Sequence, residues 1–104
     1  MLWKAFVANM NKRTIIFSPR AVQRMEEIAD YLYQQQLSNA FVRDYMNRFE
    51  IWLEMVLGQF LDSGRLMPEY GKNIRRIVYQ EYSFIYQKNE NNIEILTVYR
   101  KNKT

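Results

Sequence analysis

Ile74-Arg75-Arg76-Ile77-Val78-Tyr79, Tyr82-Ser83-Phe84-Ile85-Tyr86-Gln87-Lys88 and Ile93-Glu94-Ile95-Leu96-Thr97-Val98-Tyr99 are the stretches whose reading decides the fold. Each is rich in β-branched and aromatic side chains, which suit a pleated, half-buried backbone. Gln80-Glu81 separates the first two runs, and the turn-forming Asn89-Glu90-Asn91-Asn92 separates the last two. Three strands joined by two short turns predict an antiparallel meander. Apolar residues occupy both faces of every run, so alternation leaves open which face is the core. Arg75 and Arg76 are neighbours on a strand and must point to opposite faces.

Upstream of this region the period becomes helical. Ala21, Val22, Met25, Ile28, Ala29 and Leu32 recur every three or four residues, with Gln23, Arg24, Glu26, Glu27 and Asp30 on the other side. Ser18-Pro19 marks the start, because serine caps free amides and proline suits the first helical position. The helix should end near Gln35 or Gln36. After Leu37, Ser38 can cap a second helix. Its stripe is Val42, Tyr45, Met46, Phe49, Trp52, Leu53, Val56, Leu57 and Phe60. Two amphipathic helices with a short link predict an antiparallel hairpin. Before them, Arg13-Thr14-Ile15-Ile16-Phe17 reads as a strand, and Asp62-Ser63-Gly64-Arg65 with Pro68 and Gly71 reads as a loop. The expected fold is therefore α+β: an N-terminal strand, a helical hairpin, then the meander, with the hairpin packed on one sheet face.

The 104 residues suffice for a single domain spanning 1–104, and 15% aromatic side chains give so short a chain a useful core. Residues 1–9 read as a disordered extension or the product of an upstream start, with Met10 as the natural one. The apolar stretches are too short for a membrane span. The chain has no cysteine and no histidine. That removes disulfides, thiolate chemistry and the commonest general base and metal ligand, and it fits a reducing cytoplasm. No metal or other cofactor is expected. The net charge of +4 is uneven: both ends are basic, and residues 21–64 carry seven acids against three bases. If the ends meet, they form one positive surface suited to nucleic acid or an acidic protein; a solvated surface explains the same charges.

Four motifs in order narrow the reading. Ile15-Ile16-Phe17-Ser18-Pro19-Arg20-Ala21 resembles the strand and helix start of RelE/ParE toxins. Gly64-Arg65 with Pro68-Glu69 is similar to the family's loop between helix and sheet. Arg75-Arg76 followed by Tyr82-Ser83-Phe84-Ile85-Tyr86 is similar to its arginine and tyrosine-rich penultimate strand. Ile93 to Arg100 looks like its last strand. The resemblance covers about Thr14 to Lys103. It implies the toxin of a type II toxin–antitoxin (plasmid stabilisation) pair, an inhibitor of growth neutralised by a cognate antitoxin through an acidic C-terminal segment, in a hetero-oligomer. The target implied is DNA gyrase for ParE-like members and the ribosome, where mRNA is cut, for RelE-like members.

Two departures favour the ParE-like branch. Ser83 stands where the RNA-cleaving members carry an arginine after the first tyrosine, and the C-terminal Lys103-Thr104 lacks their tyrosine or histidine. The cations that remain hold phosphate but shuttle protons poorly. Were the chain a ribosome-dependent endoribonuclease, the resemblance would place Arg76, Tyr82 and Lys101 at its catalytic site. Otherwise Arg65, Arg75, Arg76, Arg100 and Lys101 are candidates for binding the target or antitoxin. Each has a plainer alternative: a loop-anchoring contact for Arg65, a solvated side chain for the rest. Phe84 and the Trp52 stripe are expected in the core. A third reading is a degenerate, non-toxic module that retains only antitoxin binding.

Overall fold

The computed structural model describes residues 14–59 and 63–100. The expectations for residues 1–9, Arg13, Phe60, Lys101 and Lys103 lie outside them. Strand β1 (Thr14–Phe17) leads into helix α1 (Pro19–Gln34) and helix α2 (Asn39–Gln59). Then come a two-residue strand β2 (Arg65–Leu66), a 3-10 turn (Pro68–Tyr70), and strands β3 (Ile74–Tyr79), β4 (Tyr82–Lys88) and β5 (Asn92–Arg100). The expected meander is present as β3, β4 and β5. It sits inside a mixed five-stranded sheet of order β1-β5-β4-β3-β2, with β1 parallel to β5 and the other pairs antiparallel. The short β2 was not foreseen: glycine and proline signals around it read as loop, and two residues carry no periodicity.

Both helix starts form as their capping residues dictate. The Ser18 hydroxyl accepts the Ala21 amide at 3.0 Å, and the Ser38 hydroxyl accepts the Phe41 amide at 3.1 Å. Ser18 also donates to the Leu96 carbonyl at 2.8 Å, tying the start of α1 to the middle of β5. Helix α1 ends as Gln36 takes a left-handed φ of 65°.

The core lies between the hairpin and the sheet. Phe49, Leu53 and Leu57 of α2 and Ala21, Ile28 and Leu32 of α1 are buried against Ile77, Tyr82, Phe84, Tyr86, Ile93, Ile95 and Val98. Phe49 is its centre: its ring meets Tyr45, Tyr79, Tyr82 and Phe84 edge-on at 5.3–5.6 Å. Trp52 stacks on Tyr79 at 4.6 Å. Val22 is the exception to the α1 stripe, standing 43% exposed at its margin. The structure also settles the core face. Side chains in register with Phe84 face the helices, so Tyr82 and Tyr86 do too, whereas Ser83 and Ile85 are buried on the far side.

Candidate functional site

The segment after α2 folds back on β3 because Gly64 permits a close approach. A β-carbon there would lie 2.7 Å from the Arg76 carbonyl oxygen and 2.8 Å from the Tyr86 hydroxyl. The buried Gly64 amide donates to that hydroxyl at 3.1 Å, and the Arg75 guanidinium donates to the Gly64 carbonyl at 2.7 Å. The Met67 amide donates to the Ile74 carbonyl at 2.9 Å, closing the short pairing. The register sets Leu66 opposite Arg75 and Arg65 opposite Arg76. Arg75 thus faces the helices and works as a loop anchor, the role the sequence had offered for Arg65.

Arg65 and Arg76 share the other face, because residues directly opposite in an antiparallel pair project to the same side. Both line a depression of about 340 Å3 with Leu66, Met67, Pro68 and Glu69. The sequence singled out both arginines but missed Leu66 and Met67; the signal available was their place between Gly64 and Pro68.

Arg100 lies elsewhere. It is opposite Tyr82, on the helix-facing side, where its guanidinium pairs with Glu81 at 3.2 Å and sits 5.5 Å from the centre of the Tyr31 ring. The hydrogen bond to Tyr31 and the pairing with Glu81 raise its pKa further. The expected single positive surface is therefore corrected: Arg76 and Arg100 occupy opposite faces of the sheet, and Lys101 is outside the described residues. Alternation along β4 and β5 decides this, and it was unreadable while both faces looked apolar.

Tyr82 is 3% exposed beneath Phe49, and burial, then the nearby Tyr45 and Glu81, push its phenol up. Burial and Glu81 act the same way on Tyr45, whose hydroxyl donates to the Gln80 side chain at 3.2 Å. Neither phenol is primed to give up its proton. Two other recesses flank the helices. One of about 270 Å3 runs from Arg24, Ile28 and Tyr31 to Val98 and Arg100. One of about 340 Å3 lies between α1 and α2, with Phe17, Met25, Ala29 and Met46 as an apolar floor and Glu26 and Glu50 as acids. Among the described residues, no group of three or more acids comes together that could hold a metal ion, and no helix is long and apolar enough to cross a membrane.

This fold is similar to that of a solved structure, the chromosomal ParDE TA system from P. aeruginosa. That chain is 15% identical, with a TM-score of 0.67, and the match covers 88% of the present chain and 98% of the other. At that identity the likeness concerns the fold. No curated protein matches. The family model described as ParE toxin of type II toxin-antitoxin system, parDE, matches residues 15–103. The fold and the sequence thus define a toxin of the type II toxin–antitoxin class. The chain belongs to the ParE toxin family.

Proposed function

We propose that this toxin, acting in the cytoplasm as one domain, arrests growth by poisoning DNA gyrase. A cognate antitoxin, whose acidic C-terminal segment folds onto it, keeps it silent, and such a pair stabilises the plasmid that carries it. One observation carries the choice of target: Arg76 and Tyr82 project to opposite faces of the sheet. Cutting RNA needs a cation on the phosphate and proton-transfer groups around one phosphodiester. Here the tyrosine is 3% exposed beneath Phe49, with a raised pKa. The arginine opens to the far side, and Ser83 beside the tyrosine is itself buried. A poison that stalls another enzyme needs only shape and charge.

The test is incubation of the purified chain with gyrase, ATP and supercoiled plasmid, followed by denaturation. Linear, gyrase-linked DNA rising with toxin concentration is expected. Unchanged plasmid at micromolar toxin, with growth arrest on induction in cells, would overturn the gyrase assignment. Codon-phased cuts in transcripts from those cells would restore the ribosomal alternative. Normal growth on induction with retained antitoxin binding would identify a non-toxic module.

A further inference from the structure

We propose that Arg65 and Arg76 form a clamp for the phosphate backbone of nucleic acid. This goes beyond the gyrase reading, which concerns a protein target, and its test is read without gyrase.

The two arginines stand directly opposite each other on β2 and β3 and line one depression. Like charges in that position destabilise a sheet. The fold nonetheless enforces the pairing with Gly64, which tolerates no side chain, and with the bonds from Arg75 and to Tyr86. Among the described residues, neither Arg65 nor Arg76 forms an ion pair with an acid, unlike Arg24 with Glu27 and Arg100 with Glu81. Glu69 lines the same depression without pairing to either. Two cations set opposite each other in one depression, neither of them ion-paired with Glu69, are arranged for an anion from outside.

The geometry favours phosphate over carboxylate. One guanidinium fork already fills both oxygens of a carboxylate. Two forks on neighbouring strands, with β-carbons about 5 Å apart, suit a group that offers oxygens on more than one side. On the same face the fully buried Ile85 separates Arg76 from Thr97, so the exposed part of the site is confined to β2 and β3. Arginine contacts to phosphate oxygens are what position a protein on a nucleic-acid backbone.

The experiment measures binding of the purified chain to a short DNA duplex across about 50 to 200 mM salt, where each phosphate contact contributes about 0.9 to the slope of log affinity against log salt. The double variant R65Q/R76Q should lose affinity at least tenfold at the low-salt end and flatten the slope by about two contacts. The control R24Q/R43Q removes the same charge from the helices and should leave the slope nearly unchanged. Thermal unfolding of each variant confirms that it is folded. The proposal is overturned if the wild-type chain fails to bind the duplex at low salt, or if both double variants flatten the slope equally. It is also overturned if R65Q/R76Q abolishes binding of a polyglutamate peptide and leaves DNA binding intact, which would assign the pair to an acidic protein segment.

Discussion

The hydroxyl of Tyr86 lies 3.1 Å from the amide nitrogen of Gly64, and a β-carbon on residue 64 would intrude to 2.8 Å from that same oxygen. The contact therefore satisfies a buried amide and also forbids any residue larger than glycine. It fixes where the chain re-enters the sheet after α2, and with it the place of Arg65. Gly64→Ala is expected to lower the urea midpoint sharply, because the nearest obstruction is backbone and cannot swing aside. Tyr86→Phe keeps the ring and removes the acceptor, and should cost about 1–3 kcal/mol for the stranded amide. A Tyr86→Phe chain as stable as the wild type would show that the hydroxyl is not needed.

Phe49 concentrates the aromatic packing between α2 and the sheet. Its replacement by alanine should cost about 3–5 kcal/mol, a large share of the about 5–15 kcal/mol that holds a domain together. Chemical denaturation would read this as a large fall in midpoint. Ile51→Ala, at a 40% exposed position on the same helix, should change little.

Ser18 acts twice, as the cap of α1 and as a donor to β5. Ser18→Ala removes both and should cost about 1–2 kcal/mol. Ser18→Asp keeps an acceptor for the Ala21 amide but has no proton for Leu96. Its stability should fall below wild type; equality with wild type would show that the link to β5 contributes nothing.

Tyr45 and Tyr82 titrate above the ordinary phenol value of about 10. In the unfolded chain they lose their protons first, so unfolding is favoured by alkali. The stability they supply is complete below the unfolded value and is lost as pH rises from there through the folded values. Unfolding midpoints measured upward from about pH 9 should fall, and Tyr82→Phe should make the fall shallower.

Reversing the charge of Arg65 turns a like-charged cross-strand pair into an attractive one. Arg65→Glu should raise stability by about 0.2–1 kcal/mol while weakening the binding of a DNA duplex. A gain in stability paired with a loss of binding is the signature of a repulsion retained for use. A loss of both would show that Arg65 supports the fold instead.

Much of this architecture was legible from the chain alone. Ser18-Pro19 and Ser38 start helices because their chemistry is local, and the α2 stripe from Val42 to Leu57 is buried or half-buried as its spacing requires. The three runs from Ile74 onward form the strands expected of them. What depended on distant partners was not legible. Arg75 and Arg76 had to face opposite ways, but only the placement of Phe84 beneath Phe49 tells which of them meets the helices. Arg100 looked like part of a basic tail; its partners Glu81 and Tyr31 lie 19 and 69 positions away in sequence, and no local pattern links them. The pairing of Arg65 with Arg76 needed β2, which two residues flanked by glycine and proline do not announce.

The parallel pairing of Thr14–Phe17 with Asn92–Ile95 carries a consequence for how the molecule comes into being. Strand β1 finds its neighbour only 78 residues further along the chain, and the cap at Ser18 likewise reaches for Leu96. Such long-range closure slows folding. Until β5 has been made, strand β1 and the helical hairpin lack the strand that joins β1 to the rest of the sheet. The finished sheet can assemble only after β5 has left the exit tunnel, so a partly made copy lacks the folded form with which to act. Joining β1 to β5 is the step that completes the sheet, and a chain stopped short of Asn92 has no partner for its first strand.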